Sequence, residues 1–328
     1  MKLHPWRWIK MHRKRVSLTT LLALAIALNA VAYMHAYAMT HFVPRGERTE
    51  NPLHLSSWQK VKIVLTGVTL PRPYNPVGPE AFGLSYKTVN FAVADGTTLE
   101  GWVIPADKPK GTFIGFHGYA TAKCSLLGEA KVFHELGYSV LLVDFRGSGG
   151  SGGNVTTIGY READDVAATV AYAQANLPAR PLIVFGQSMG SAAILRAVAH
   201  NNVHPDLLLL ESPFDRLFTT VQNRFHTMGL PAFPLANLLT FWGGVQQGYS
   251  GFKHNPAEYA ASVHCPVLLM HGRHDPWVTD SETASIFQGF AGEKQLDIFE
   301  QVGHEPYLDH EPEHWNNVVR DFVARHAR

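Results

Sequence analysis

The stretch Leu182-Ile183-Val184-Phe185-Gly186-Gln187-Ser188-Met189-Gly190-Ser191-Ala192-Ala193-Ile194 decides the fold. Its first four residues form a short apolar run of strand type, and the residues from Met189 to His200 have helical character. Between them lies the pattern G-x-S-x-G. A strand that turns at once into a helix leaves no room for side chains two positions before and after the serine, so both must be glycine. Ser188 is thereby pushed out at the carboxyl end of the strand, above the positive terminus of the helix.

Working outward, similar apolar runs occur at 112–116, 139–144, 207–210, 267–270 and 295–299. Helical patterns lie between most of them, at 123–136, 159–175, 189–200, 281–290 and 312–326. Short apolar strands alternating with helices predict an α/β fold with a parallel sheet covered on both faces. Ahead of these, β-rich runs at 87–93 and 98–104 flank Asp95-Gly96, which reads as a hairpin turn. Residues 214–263 contain helical stretches and no strand, which predicts a lid inserted over the edge of the sheet.

A serine hydroxyl is a weak nucleophile and needs a base, which in turn needs an orienter. The chain order Ser…Asp…His points to the last two strands. Asp275 follows the run 267–270, and His304, in Val302-Gly303-His304-Glu305, follows the run 295–299. Neighbouring parallel strands bring their carboxyl ends to one crevice. Acyl transfer also requires donors for an oxyanion. The backbone N–H of Met189 is one candidate. The second is Tyr119 in the loop His117-Gly118-Tyr119-Ala120, where Gly118 lets the backbone turn inward. His117 is expected to hold that loop rather than act as a base.

These residues, with Asp144-Phe145-Arg146-Gly147-Ser148-Gly149, resemble the α/β-hydrolase superfamily, closest to its serine-aminopeptidase and monoacylglycerol-lipase-like branch. The resemblance covers residues 85–326. It implies an eight-stranded, mostly parallel sheet, hydrolysis of an ester, thioester or amide, and no cofactor.

The N-terminus falls outside it. Residues 1–15 hold six basic side chains and no acid, whereas the rest holds 22 basic and 27 acidic residues. The overall charge of +1 therefore conceals two halves of opposite sign. Residues 16–44 contain no Asp, Glu, Lys or Arg, and the apolar part is about one bilayer core long. Basic residues stay cytoplasmic, so the domain is expected to be exported, to the periplasm in a bacterium. The length of the basic and apolar segments favours an uncleaved anchor. Ala36-Tyr37-Ala38 fits the small-x-small cleavage rule and keeps secretion after cleavage near Ala38 open. A buried soluble helix is disfavoured because the run has no polar face. The expected organisation is a basic cytoplasmic tail (1–15), a transmembrane anchor or signal (16–38), a connector (39–80) and a hydrolase domain (81–328) with its lid at 214–263. Within the connector, 56–65 is expected to be helical, and four prolines stiffen its end.

Two cysteines exclude a disulfide scaffold and a cysteine-based zinc ribbon, and the charge balance points away from nucleic acid. Gly147-x-Gly149-x-x-Gly152 formally matches a dinucleotide fingerprint, but the next helix begins too late to meet it. A loop pinned by Arg146, through an ion pair or backbone carbonyls, is expected instead. His310-Glu311-Pro312-Glu313-His314 matches H-E-x-x-H. Pro312 belongs at the first turn of a helix, which separates the two histidines. Loop packing or hydrogen bonding is the expected role of His271 and His274, and no metal is expected.

The leading expectation is a serine hydrolase acting on a small-molecule acyl substrate, an ester with a lipophilic acyl group being favoured by the apolar lid and the membrane segment. A peptidase for short peptides is the alternative, with Glu211 and Asp215 bordering the lid as candidate partners of a substrate amine. A non-catalytic, membrane-tethered binding protein is the alternative of another class.

Overall fold

A computed structural model describes residues 5–50, 55–178 and 180–327. The first four residues of the basic tail lie outside them. Among the described residues two α-helices precede the sheet, α1 (Pro5–Thr40) and α2 (Ser57–Thr66). The remaining elements run β1 (Lys87–Ala92), β2 (Thr98–Ile104), β3 (Thr112–Phe116), α3 (Leu127–Glu135), β4 (Ser139–Val143), α4 (Glu162–Asn176), β5 (Leu182–Gln187), α5 (Met189–His200) and β6 (Leu207–Glu211). Then follow α6 (Leu217–Thr227), α7 (Leu235–Gln247), α8 (Pro256–Tyr259), β7 (Val267–Gly272), α9 (Asp280–Gly289), β8 (Lys294–Phe299), α10 (Tyr307–His310) and α11 (Pro312–His326).

The eight strands form one sheet in the order β1-β2-β4-β3-β5-β6-β7-β8. Only the β1–β2 and β2–β4 pairs are antiparallel; the others are parallel. All residues of β3, β4, β6 and β7 are buried, as their mostly apolar character demands, and Glu211 and His271 near the ends of β6 and β7 are buried with them. The period-two alternation of a strand divides them between two cores. Ile114 and Phe116 face the side covered by α4, α5 and α9, and Phe113 faces α3 and α11. In the hairpin, Asp95 Oδ1 accepts the Thr97 N–H at 2.9 Å and Gly96 takes φ 88°. The Ser56–Gln59 capping box starts α2.

Helix α1 has two different surroundings. Leu18, Leu21, Leu22, Leu24 and Ile26 are exposed, with no protein cover. From Asn29 onward the helix lies on α7 of the lid. Trp242 Nε1 donates to Asn29 Oδ1 at 3.1 Å, Gln246 Nε2 to the Tyr33 carbonyl at 2.8 Å and Gln247 Nε2 to Thr40 Oγ1 at 3.2 Å. The rings of Tyr33 and Trp242 meet edge to face at 5.4 Å. The segment Leu18–Thr40 has the length and composition to cross a membrane, about 35 Å at helical rise.

The loop after β4 has the expected anchor and a second one. Arg146 pins the loop through ion pairs to Asp165 (2.6 Å) and Asp95 (2.8 Å), the first of the two expected ways. The loop carbonyls are held by Arg72, which donates to Ser148, Gly149, Ser151 and Gly153. Gly149 is required there: at φ 46° a Cβ would lie 1.8 Å from Asp144 Oδ2. Helix α4 begins only at Glu162, so no helix terminus meets these glycines.

Candidate active site

The turn from β5 into α5 holds Ser188 at φ 49° and ψ −109°, a conformation that costs a non-glycine residue energy and is kept only where packing enforces it. The enforcement is visible on both sides. A Cβ on Gly186 would come within 2.6 Å of the Ser191 nitrogen, and one on Gly190 within 2.4 Å of the Phe116 carbonyl oxygen. The Ser188 N–H donates to the Glu211 carbonyl at 2.8 Å, tying the turn to β6.

Ser188 Oγ lies 2.9 Å from His304 Nε2, and His304 Nδ1 lies 2.6 Å from Asp275 Oδ2. The structure thus brings together three residues drawn from the ends of β5, β7 and β8. The Asp275 side chain is fully buried. Its Oδ1 accepts the N–H groups of Trp277 (2.8 Å) and Val278 (2.9 Å), and its Oδ2 also accepts the Ser212 hydroxyl at 3.0 Å. Burial alone would raise its pKa. The charge and hydrogen bond of His304 and the two main-chain donors outweigh that and hold it below the ordinary aspartate range. Tyr307 completes the support. Its hydroxyl accepts the Gly272 N–H at 2.7 Å and donates to Ser212.

The loop after β3 runs against the same turn. A Cβ on Gly118 would sit 3.8 Å from Ser188 Cβ. His117 is fully buried, with Nδ1 on the Gly118 carbonyl (2.8 Å) and Nε2 accepting the Phe145 N–H (3.0 Å). Burial lowers its pKa, so it joins two loops as a neutral ring. Among the described residues, the N–H groups of Tyr119 and Met189 donate to no turn or loop carbonyl. The Tyr119 hydroxyl donates to the Met39 carbonyl at 2.5 Å, which fastens this loop to α1.

Ser188 and His304 line a cavity of about 710 Å³ whose other walls come from α1, α2 and the connector on either side of it, the loop after β3, α6 and α7. Its size lies within the range of small-molecule sites. Charged residues of both signs line it, Arg48, Lys60 and Arg224 beside Glu50, Glu211 and Glu305. Arg48 donates to the Ala120 carbonyl at 3.2 Å, and Arg224 rests 4.7 Å from the centre of the Trp277 ring.

Beneath the turn that carries Ser188 lies a polar group of which sequence reasoning singled out only Glu211. Gln187 donates its amide to Glu129 Oε1 (3.3 Å) and Glu211 Oε2 (3.1 Å), while Trp315 Nε1 donates to Glu211 Oε1 (2.7 Å). Burial pushes both carboxyl groups up, Glu211 to about 7. Glu211 borders the cavity, but its oxygens are already engaged. Asp215 does not line the cavity and lies beside Glu282.

His310 closes α10 and His314 sits in the first turn of α11, where it contacts Asp297 (2.7 Å) and Glu311 (3.2 Å). His271 Nε2 contacts Asp280 at 2.9 Å, and the His274 N–H donates to the Val302 carbonyl at 3.0 Å. Among the described residues, no cluster of three or more His, Cys, Asp or Glu side chains is placed to hold a metal ion.

A family model described as serine aminopeptidase, S33, matches residues 107–239. An uncharacterised protein of Bacillus subtilis, YqkD, is 29% identical over 250 residues, covering 74% of this chain and 81% of its own. The uncharacterised YfhR of Escherichia coli O157:H7 is 30% identical over 219 residues, covering 64% of this chain and 70% of its own. Among solved structures, the Pyrococcus furiosus esterase Pf2001 superposes with a TM-score of 0.67 at 26% identity. The match covers 79% of this chain and 97% of the esterase.

Proposed function

Because the chain belongs to the α/β-hydrolase family, in its serine-aminopeptidase (S33) branch, we propose that it is a membrane-tethered serine hydrolase cleaving a lipophilic carboxylic ester or thioester through Ser188, His304 and Asp275. The observation that carries this reading is the hydrogen-bond chain Ser188–His304–Asp275, 2.9 and 2.6 Å long, at the edge of a cavity with largely apolar walls.

In this reading Ser188 Oγ attacks the acyl carbonyl as His304 Nε2 takes its proton. Asp275 keeps the other ring nitrogen protonated and stabilises the imidazolium that forms. The N–H groups of Met189 and Tyr119 receive the oxyanion. His304 then protonates the leaving oxygen or sulfur, and water, deprotonated by the same histidine, releases the acid and restores Ser188.

The exposed leucines of α1 suit a lipid environment. The basic residues before them favour a cytoplasmic N-terminus and an exported catalytic domain. An uncleaved anchor is favoured over secretion because α1 continues past Ala38 to Thr40, with Ala36 and Thr40 buried against the domain.

The test is turnover of p-nitrophenyl esters of graded chain length beside aminoacyl p-nitroanilides, with wild type and Ser188→Ala. Ester turnover that disappears in the variant is expected. Turnover of the anilides alone would replace the reading with a peptidase. No turnover of either would favour a non-catalytic tether.

A further inference from the structure

We propose that α1 is more than a tether: its second half is one wall of the acyl-binding cavity, so the long acyl chain of a membrane amphiphile lies between α1 and the lid. The proposal rests on the ester-hydrolase reading above and names where its acyl group goes.

Leu28, Val31, Ala32, His35, Ala36 and Met39 line the same cavity as Ser188 and His304. Their spacing is i, i+3, i+4, i+7, i+8 and i+11, a single helical face. A second face of the same helix, carrying Asn29 and Tyr33, meets Trp242 of α7, while the Tyr33 carbonyl and the hydroxyl of Thr40, which also borders the cavity, accept from Gln246 and Gln247. The helix is therefore held in register, with one stripe on the lid and the other on the cavity. At its end the Met39 carbonyl accepts the Tyr119 hydroxyl, in the loop that faces Ser188. The stripe is consequently aligned with the reacting centre and not merely near it.

Length and polarity point to the same ligand. From Leu28 to Met39 the stripe rises about 17 Å, close to the ~15 Å hydrocarbon depth of one leaflet. Leu217, Val221 and Leu239 line the cavity from the lid. The lid segment 225–252 contains no Asp, Glu, Lys or Arg, and its surface exposes Phe233, Phe241 and Val245. An acyl chain passing from bilayer to cavity beside this segment meets no charged side chain of it. A simple tether needs neither a cavity-lining stripe nor a bond to the loop beside the nucleophile.

The test uses the full chain in lipid vesicles and a fluorophosphonate carrying a hexadecyl tail with a diazirine at mid-chain. Phosphonylation of Ser188 followed by illumination should cross-link the tail to a peptide within residues 28–39. In parallel, Val31→Trp should narrow the cavity from the α1 side. The ratio of kcat/KM for the hexadecanoyl over the butanoyl p-nitrophenyl ester should then fall by about tenfold or more. A labelled Ser188 whose tail cross-links only to lid residues or lipid overturns the proposal and leaves the hydrolase reading standing. So does an unchanged ratio in a folded variant. An unlabelled Ser188 overturns both. If the tryptophan variant does not fold, the wild-type cross-link alone decides.

Discussion

Asp275→Asn isolates the contribution of the acid with little change in shape. The buried Asp275 carboxylate accepts four hydrogen bonds, two main-chain N–H groups on Oδ1 and His304 with Ser212 on Oδ2. An asparagine offers one oxygen and one NH2. The oxygen must face Trp277 and Val278, because an NH2 there would oppose two donors that cannot rotate. The NH2 then faces His304 Nδ1, which has to present a lone pair. The ring proton moves to Nε2, opposite Ser188 Oγ, and the histidine no longer accepts the serine proton. Reversal of this tautomer costs on the order of 10⁴ in rate in a serine protease triad, equivalent to about 5 kcal/mol of barrier. Stability should change much less. Both main-chain donors stay paired and the Ser212 hydroxyl can turn, so a loss of about 1 kcal/mol, or roughly 2–4 °C in Tm, is expected. The assay is kcat/KM on a short p-nitrophenyl ester, with Tm measured on the same preparation. A folded Asp275→Asn protein with more than about a tenth of wild-type activity would refute the reasoning, since the rate-limiting tautomer would then not depend on Asp275.

Other substitutions test the surroundings of the site. Gly190→Ala places a Cβ 2.4 Å from the Phe116 carbonyl oxygen and 2.8 Å from that of His117. A stability loss of about 3 kcal/mol by denaturant titration is expected, and wild-type stability would contradict the close approach. The Glu129–Glu211 pair predicts a pH dependence. Burial raises both pKa values, so their contribution to stability is full below about 4.5 and lost as pH rises, for Glu211 through about 7. For Glu211 the rise from 4.5 to about 7 corresponds to about 3 kcal/mol at most. Glu129→Gln should therefore flatten the decline in Tm as pH rises above about 4.5, and an unchanged slope would sink the assignment. Asp275 acts in the opposite sense: its lowered pKa contributes stability that is lost as pH falls below the usual aspartate range. For the membrane orientation, a reporter fused after Arg328 should be active outside the cytoplasm; activity only inside would refute export.

What was legible in the sequence was what local pattern dictates. The G-x-S-x-G turn announces itself because tight turns leave steric room only for glycine. β3, α5 and α11 have the expected bounds because their apolar runs or caps are sharp. Ser212, Tyr307 and Gln187 were missed, although they hold the site together. Each is an ordinary polar residue near a strand or helix end, and their convergence depends on sheet order, which spacing along the chain does not encode. Arg72 was passed over because it stands between Pro71 and Pro73 in what reads as a linker. That same pair of rings, which restricts the local backbone, was the available signal. The packing of α1 on the lid was illegible for another reason. Its second half is apolar on nearly all faces, so periodicity cannot separate a side chain that meets lipid from one that meets α7 or a substrate.

The central claim is that Ser188 is the nucleophile, activated by His304. Peptide mapping by mass spectrometry after treatment of the full chain with a fluorophosphonate tests it most directly. One adduct per chain on Ser188, absent in Ser188→Ala and strongly slowed in His304→Ala, is the predicted result. An adduct on another residue, or none on the folded wild-type protein, would contradict it.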